Sequence, residues 1–490
     1  MNFPMIMYIL GMVLKYEGIF MLIPFITGLI YKENAGFSFA VVGLTSYVSG
    51  YLLTRKKPQN QLYFAREGFA CVALSWIVMS IVGAMPFVLN KDIPNFIDAL
   101  FETTSGFTTT GASILSDIEA LNKSSIMWRS FTHWIGGMGV FVFILAVLPM
   151  AGGYSMYLMS AESPGPTVGK LLPRLRDTAK ILYMIYFVMT LLQIIILLIF
   201  KMPFFDALTI TFGTAGTGGF GIKNDSMAGY SIPIQTTVTI FMILFGVNFN
   251  AYYLLLGKNK GDAFKMEEVR WYFLIIFLSI AIITLNIVKQ YSGPVEALRH
   301  CAFQVGSIIT TTGYSTVDFN LWPQLSRTIL VMLMFIGACA GSTGGGIKVS
   351  RIIMLFKMVG VEMTKIIYPR SAKFVRMDKN VVDDDTVKTV AAYLITYVLI
   401  FGVSMFILAF DNLDMVTNFT GIAATLNNIG PGLELVGPSG NFSVFTPVSK
   451  LVLIFDMLAG RLELFPLLLL FSPSIWVFKH YKKKNYALKK

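Results

Sequence analysis

The sequence predicts an all-α polytopic membrane protein: two N-terminal transmembrane helices, then four helix–pore loop–helix repeats forming a pseudo-tetrameric, channel-like pore. Three observations lead there. Of 490 residues, 55% are hydrophobic and only 13% charged, against about 25% charged in a soluble domain. Ten stretches reach the roughly 20 mostly apolar residues that a membrane helix needs. A Thr/Gly-rich or Asn/Gly-rich run recurs four times, each between two such stretches. The low charged fraction excludes a soluble enzyme, a nucleic-acid-binding domain and a disordered chain. The formal net charge of +12 therefore has to be read from where the basic residues sit.

The first two stretches are Met5–Tyr31 and Ala35–Thr54. The first is not a cleavable signal peptide: it is long, carries Lys15 and Glu17, and lacks a basic leading region and a small-residue cleavage site. Four pairs follow. Their first helices are expected at about Phe69–Leu89, Ile181–Phe200, Trp271–Val288 and Val390–Phe410. Their second helices are expected at about Ser125–Met150, Ile232–Leu256, Ser326–Met358 and Pro447–Phe471. The chain divides into residues 1–63 (the extra helices), 64–160, 161–260, 261–360 and 361–478 (repeats one to four) and a basic tail, 479–490.

Lys and Arg concentrate between the pairs. They include Arg55, Lys56, Lys57 and Arg66; Lys170, Arg174, Arg176 and Lys180; Lys258, Lys260, Lys265 and Arg270; Arg351 to Lys379; and Lys479 to Lys490. If every helix spans, these segments share one side, and the positive-inside rule puts both termini there, in the cytoplasm. The basic balance is thus a topology signal. The three cysteines and three histidines are dispersed, which argues against a disulfide framework or a His/Cys metal site. No acids, His or Cys cluster at one membrane face as a polytopic membrane enzyme would require.

Inside each pair a short amphipathic stretch leads into the recurring run: Thr108-Thr109-Thr110-Gly111, Gly216-Thr217-Gly218-Gly219, Thr310-Thr311-Thr312-Gly313 and Asn427-Asn428-Ile429-Gly430. The first two share a frame, Asp98-Ala99-Leu100 and Asp206-Ala207-Leu208, with Asp 13 residues before the last glycine. In the second run Gly218 competes with Gly219 as the key glycine. Gly219 is chosen because Phe220 then matches Tyr314 after Gly313. A fourfold repeat between spans reads as four re-entrant loops meeting on one axis, because irregular backbone at membrane depth survives only when buried in protein or lining water. Glycine permits the dihedrals that turn carbonyls inward, and rings of carbonyls can replace the hydration shell of a cation.

These runs, with Ser105-Gly106-Phe107 before the first and Tyr314-Ser315-Thr316 after the third, resemble the ion-translocating subunit of the Trk/Ktr/HKT superfamily of potassium transporters. So do Gly341-Ser342-Thr343-Gly344-Gly345-Gly346-Ile347-Lys348, Gly460-Arg461-Leu462-Glu463-Leu464-Phe465 and His133-Trp134-Ile135-Gly136-Gly137-Met138-Gly139. The two extra helices resemble the TrkH-type branch. The resemblance implies K⁺ uptake across the bacterial inner membrane through one four-run selectivity filter per subunit, K⁺ bound only at filter carbonyls, and a homodimer. It also implies a cytosolic nucleotide-binding regulatory ring of the TrkA type. This chain shows no G-x-G-x-x-G between a strand and a helix, so no cofactor is expected in it and any nucleotide belongs to that partner. The runs are unequal and none reads T-V-G-Y-G. A less selective K⁺/Na⁺ channel, or a symporter coupled to H⁺ or Na⁺, is therefore the alternative.

Two features bear on gating. Gly341–Gly346 interrupts the second helix of pair three, where each Gly costs about 1 kcal/mol against Ala. The run should open into a loop below the filter, which the resemblance makes an intramembrane gate including Ser342, Thr343, Gly344, Gly345 and Lys348. The alternative is close helix packing through small residues. Arg461 lies inside the last apolar stretch, where a charge needs a cavity or a partner. It is either a fixed positive charge at the pore constriction or half of an ion pair with Asp456 or Glu463. Glu102 is expected either to bond filter backbone or to be solvated. Asp98 and Asp206 should begin the pore helices, and His133 and Trp134 should pack or support the filter without ligating.

Overall fold

Ten apolar stretches would make ten spans if each stayed helical, and the backbone departs from that count at the glycine runs. The computed structural model describes residues 1–58, 65–139, 175–257 and 260–476. Lys170, Arg174, Lys258, the basic tail and the 140–150 portion of the helix expected at Ser125–Met150 lie outside the described residues. The N-terminal pair is α1 (Phe3–Phe20) continuing into α2 (Leu22–Tyr31), then α3 (Gly36–Thr54). α1 and α3 cross where Gly18 meets Gly43 and Gly11 meets Gly50, so backbones touch with no side chain between them, the close packing that small residues allow in lipid.

Each repeat then follows one plan. Repeat one has α4 (Ala65–Leu89), the short α5 (Phe96–Phe107) and α6 (Lys123–Met138); repeat two has α7 (Leu175–Ile199), the short α8 (Phe204–Ala215), α9 (Ile232–Phe245) and α10 (Phe249–Leu256). After a connecting turn, α11 (Lys260–Lys265), repeat three has α12 (Glu267–Ile287), the short α13 (Pro294–Ile309), α14 (Gln324–Ile336) and α15 (Val349–Ile367). A two-stranded antiparallel hairpin, β1 (Arg376–Met377) with β2 (Asn380–Val381), links to repeat four: α16 (Asp384–Leu408), the short α17 (Met415–Leu426), α18 (Pro447–Arg461) and α19 (Phe465–Leu470).

Among the described residues six helices are long and apolar enough to cross a membrane, seven if the bent α9–α10 pair counts as one. The second helix of every repeat is broken: in repeat three this is the opening expected at the glycine run, and in the other three the expected continuous helix is corrected. α6 stops at Gly139 (φ 81°), α9 and α10 meet at 91°, α14 stops at Gly337 (φ 72°), and α18 gives way at Glu463 and Leu464, both at positive φ. Glycine at positive φ explains the breaks at Gly139 and Gly337, whereas Gly246 at the α9–α10 bend keeps a right-handed φ of -78°. In α18 a left-handed Glu-Leu pair ends the helix instead, a costly conformation for such residues.

The first helices face lipid to different degrees. In α16 only 22% of the most apolar window is buried, and Ile395, Leu399, Val403 and Phe406 are exposed; in α4 the share is 56%. The short helices have 12, 12, 16 and 12 residues. At 1.5 Å per residue they reach about 18–24 Å, short of the roughly 30 Å hydrocarbon core. They are largely buried, as re-entrant segments must be. The N-terminal pair braces this assembly. The Glu33 carboxylate accepts from Lys123 N–H (2.9 Å), Ser124 N–H (3.0 Å) and Ser124 O–H (3.0 Å), placing an anion at the positive end of α6.

Candidate functional site

Each short helix ends on one of the four runs, and all four endings share one backbone motif. The second residue of each run donates to the carbonyl three back: Thr109 to Gly106 (3.1 Å), Thr217 to Thr214 (3.0 Å), Thr311 to Ile308 (3.0 Å) and Asn428 to Thr425 (3.1 Å). The third donates to the carbonyl five back: Thr110 to Ser105 (2.9 Å), Gly218 to Gly213 (2.8 Å), Thr312 to Ser307 (2.8 Å) and Ile429 to Ala424 (2.8 Å). This is the Schellman ending, whose left-handed residue is usually Gly. Here Thr109, Thr217, Thr311 and Asn428 hold φ between 54° and 59°. A β-branched residue at positive φ is strained, and strain repeated at three Thr positions marks a site the surroundings over-determine.

The last glycine of each run also has positive φ: Gly111 76°, Gly219 75°, Gly313 88°, Gly430 100°. Gly218 does not, which agrees with reading Gly219 as the counterpart of the other three. These glycines close a cycle. A Cβ on Gly111 would fall on the Gly218 carbonyl oxygen, one on Gly219 on that of Thr312, and one on Gly313 on that of Ile429; one on Gly430 would lie 2.8 Å from that of Thr110. Each run thus touches the next, and the fourth returns to the first. All four glycines line one cavity of about 130 Å³. Among the described residues no N–H or O–H donates to the carbonyls of the third and fourth residues of any run. A ring of undonated carbonyls at the C-terminal, partially negative ends of four helices suits a dehydrated cation.

Below the cycle, residues 337–348 leave helical geometry between α14 and α15, as the glycine run led one to expect. Gly345 N–H donates to Thr311 Oγ (2.6 Å) and Gly346 N–H to the Asn427 carbonyl (3.0 Å). The loop is thus seated against runs three and four. The Lys348 ammonium donates back to the Gly344 carbonyl. Arg461 reaches the same loop: its guanidinium donates to the carbonyls of Thr343 (3.0 Å), Gly137 (2.8 Å) and Gly136. Of its two suggested acid partners, Glu463 pairs with Arg351, and Asp456 accepts from Ser404 (2.8 Å).

Asp98 and Asp206 are third in their helices, in the first turn as expected. Asp98 accepts from Lys450 Nζ (2.6 Å) and Asp206 from the Tyr230 hydroxyl (3.0 Å). Glu102 is buried, not solvated. It bonds the Ile114 N–H (3.0 Å) just beyond run one and pairs with Arg129 at 2.7 Å. Arg129 also donates to the Gly221 carbonyl (3.3 Å) and lies 4.0 Å over the Phe220 ring, so the pair ties run one to run two. At the mouth, Asn224 of repeat two donates to Asp117 of repeat one (2.8 Å), holding that carboxyl below the usual carboxylate range.

Sequence reasoning passed over Arg129 and Glu268. Glu268 accepts from Ala340 N–H (2.6 Å), Ser350 N–H (3.1 Å) and Asn248 (3.2 Å), clamping both ends of the loop. The signal available was the one that exposed Arg461, a charge in apolar surroundings. Removing one partner of a buried ion pair typically costs about 3–5 kcal/mol. Arg129→Gln is therefore expected to lower the melting temperature of the detergent-solubilised protein sharply. Glu102→Gln in the same chain should recover part of the loss. Equal melting of wild type and Arg129→Gln would contradict the pair's role.

The comparisons with known proteins agree with this architecture. A family described as cation transport protein, TrkH, matches residues 37–479. The Trk system potassium uptake protein TrkH of Escherichia coli strain K12 is 36% identical over 486 residues, covering 97% of this chain and all of that protein. The Trk system potassium uptake protein TrkG of the same strain is 32% identical, over 93% of this chain and 95% of its own length. The crystal structure of the potassium transporter TrkH from Vibrio parahaemolyticus superposes with a TM-score of 0.86 at 32% identity, covering 97% of this chain and 100% of that one. The chain belongs to the TrkH family of cation transport proteins.

Proposed function

We propose that the chain is the membrane subunit of a K⁺ uptake system, conducting K⁺ through the axis on which the four runs meet. The observation that carries this is the closed cycle of Gly111, Gly219, Gly313 and Gly430 around undonated carbonyls. Carbonyl rings supply oxygen ligands in place of water and hold K⁺ without a charged side chain. The relatives named as potassium uptake proteins support K⁺ as the cargo.

In this reading the loop beneath runs three and four is the gate, and Arg461 supplies a positive charge at the constriction. The membrane is the bacterial inner membrane, with both termini cytoplasmic. Two such subunits associate, and a cytosolic nucleotide-binding ring acts on the gate. That the relatives are named as parts of a "Trk system" supports a multi-component assembly. The test is reversal potential in vesicles holding the purified chain, under separate K⁺, Na⁺ and pH gradients. The expected result tracks the K⁺ gradient alone. A potential that follows K⁺ and Na⁺ equally would assign the unselective channel, one that follows pH a coupled symporter, and one indifferent to K⁺ would reject the proposal.

A further inference from the structure

Runs one and three fill the space behind them with their own side chains. Thr108 Oγ meets Thr110 Oγ at 2.8 Å, and Thr310 Oγ meets Thr312 Oγ at 2.8 Å. In run four Asn427 occupies the first position, its amide donating to the Tyr397 hydroxyl at 2.8 Å, and Ile429 the third. Run two has Gly216 and Gly218 at these positions and carries no side chain at either. Interiors are close-packed, so something else must stand there.

The occupant is His133 of α6. A Cβ added to Gly218 would fall on Cγ, Nδ1 and Cε1 of its ring, and one added to Gly216 on its carbonyl oxygen. The ring is fully buried and lies 4.3 Å from the Phe220 ring at 22°. Neither ring nitrogen has a hydrogen-bond partner among the described residues. An imidazole that bonds nothing where polar groups are normally paired is placed by its shape. Phe220 follows Gly219 directly, so the ring holds both the back of run two and its exit.

We propose that His133 is a positioning residue for the second run. Its imidazole takes the place of the third-position threonine of runs one and three, and its backbone carbonyl that of the first, so that run two holds its carbonyls level with the others. This rests on the reading of the four runs as the cation filter. Without the ring, Gly218 borders a void while Gly216 keeps its contact with the His133 backbone, and a carbonyl ring with one loose member discriminates less sharply between cations.

The test is K⁺ and Na⁺ flux through the full-length chain in vesicles. His133→Ala is expected to lower the K⁺/Na⁺ permeability ratio by about tenfold, as a site loosened by its lost support does. Gly218→Thr alone should abolish flux, because its Cβ overlaps the ring. The same substitution in the His133→Ala background should restore the ratio to within about threefold of wild type, since it recreates the side chain of Thr110 and Thr312 at an ordinary φ. A merely structural role predicts lower folded yield at an unchanged ratio and no rescue. An unchanged ratio in His133→Ala overturns the inference, as does Gly218→Thr being equally harmful in both backgrounds. If His133→Ala does not fold, return of a monodisperse, K⁺-conducting double variant supports the inference, and failure to return overturns it. Gly219→Ala separates the two levels. Selectivity indifferent to Gly219→Ala rejects the filter reading itself; selectivity lost there but kept in His133→Ala rejects only the role of the histidine.

Discussion

Gly313→Val is expected to abolish K⁺ flux while leaving a folded, monodisperse membrane protein. Two independent effects act at the position. Its φ of 88° is one a β-branched residue does not adopt without strain, and any Cβ there lands on the Ile429 carbonyl and 2.9 Å from Pro431. The strain alone costs about 1–3 kcal/mol, which a protein with this much buried core can absorb. The clash cannot be relieved locally, because Ile429 is also held by its bond to Ala424 and its run touches Gly111 next in the cycle. The damage should therefore spread around the ring rather than through the bundle. The cycle also predicts an order. Alanine at Gly111, Gly219 and Gly313 meets backbone oxygen directly, whereas at Gly430 the nearest oxygen is 2.8 Å away, so Gly430→Ala should retain the most flux. Gly360→Ala and Gly402→Ala, which meet nothing within 4 Å, should conduct as wild type. The measurement is K⁺ uptake by transport-deficient cells, with size-exclusion elution as the check on folding. Gly313→Val conducting like Gly360→Ala would defeat the ring.

How much of this was legible in the sequence depends on the kind of signal. The spans and the four runs announce themselves through apolarity and spacing, and Gly219 could be chosen over Gly218 by aligning Phe220 with Tyr314. Strain at the second position could not be read. Thr109, Thr217 and Thr311 are β-branched, and nothing local says that they take a left-handed conformation; the Schellman ending and the neighbouring run impose it. The breaks at Gly139 and Gly337 follow from glycine. The break at Glu463-Leu464 does not, because neither residue type favours positive φ. Partners distant in sequence were also hidden. Glu102 stayed open between a backbone bond and solvation because Arg129 stands 27 residues away, and Glu463 was a candidate partner for Arg461 until the fold brought Arg351 to it. Composition places charges in the membrane, and only packing pairs them.

Arg461→Ala should raise cation flux with little change in selectivity. A fixed unit charge about 6 Å from a K⁺ ion, at an effective dielectric of about 20, opposes it by about 3 kcal/mol, or about a hundredfold in occupancy. The guanidinium here donates to the carbonyls of Thr343, Gly136 and Gly137. Their dipoles offset part of the charge, so about a tenfold rise in flux is the reasonable expectation. The same three bonds give Arg461 a second action, because they fasten the loop at Thr343 to the end of α6. On the proposed reading, removing the side chain should lower the barrier and free the loop together, and lysine separates the two effects. Arg461→Lys keeps the charge but loses the planar fork that reaches carbonyls on two elements at once. If charge dominates, Lys stays close to wild type and Ala alone conducts more. If anchoring dominates, both conduct more. Either way, if the four runs above are the filter, the K⁺/Na⁺ ratio should hold. Flux through Arg461→Ala equal to wild type in reconstituted vesicles would remove Arg461 from the pathway altogether.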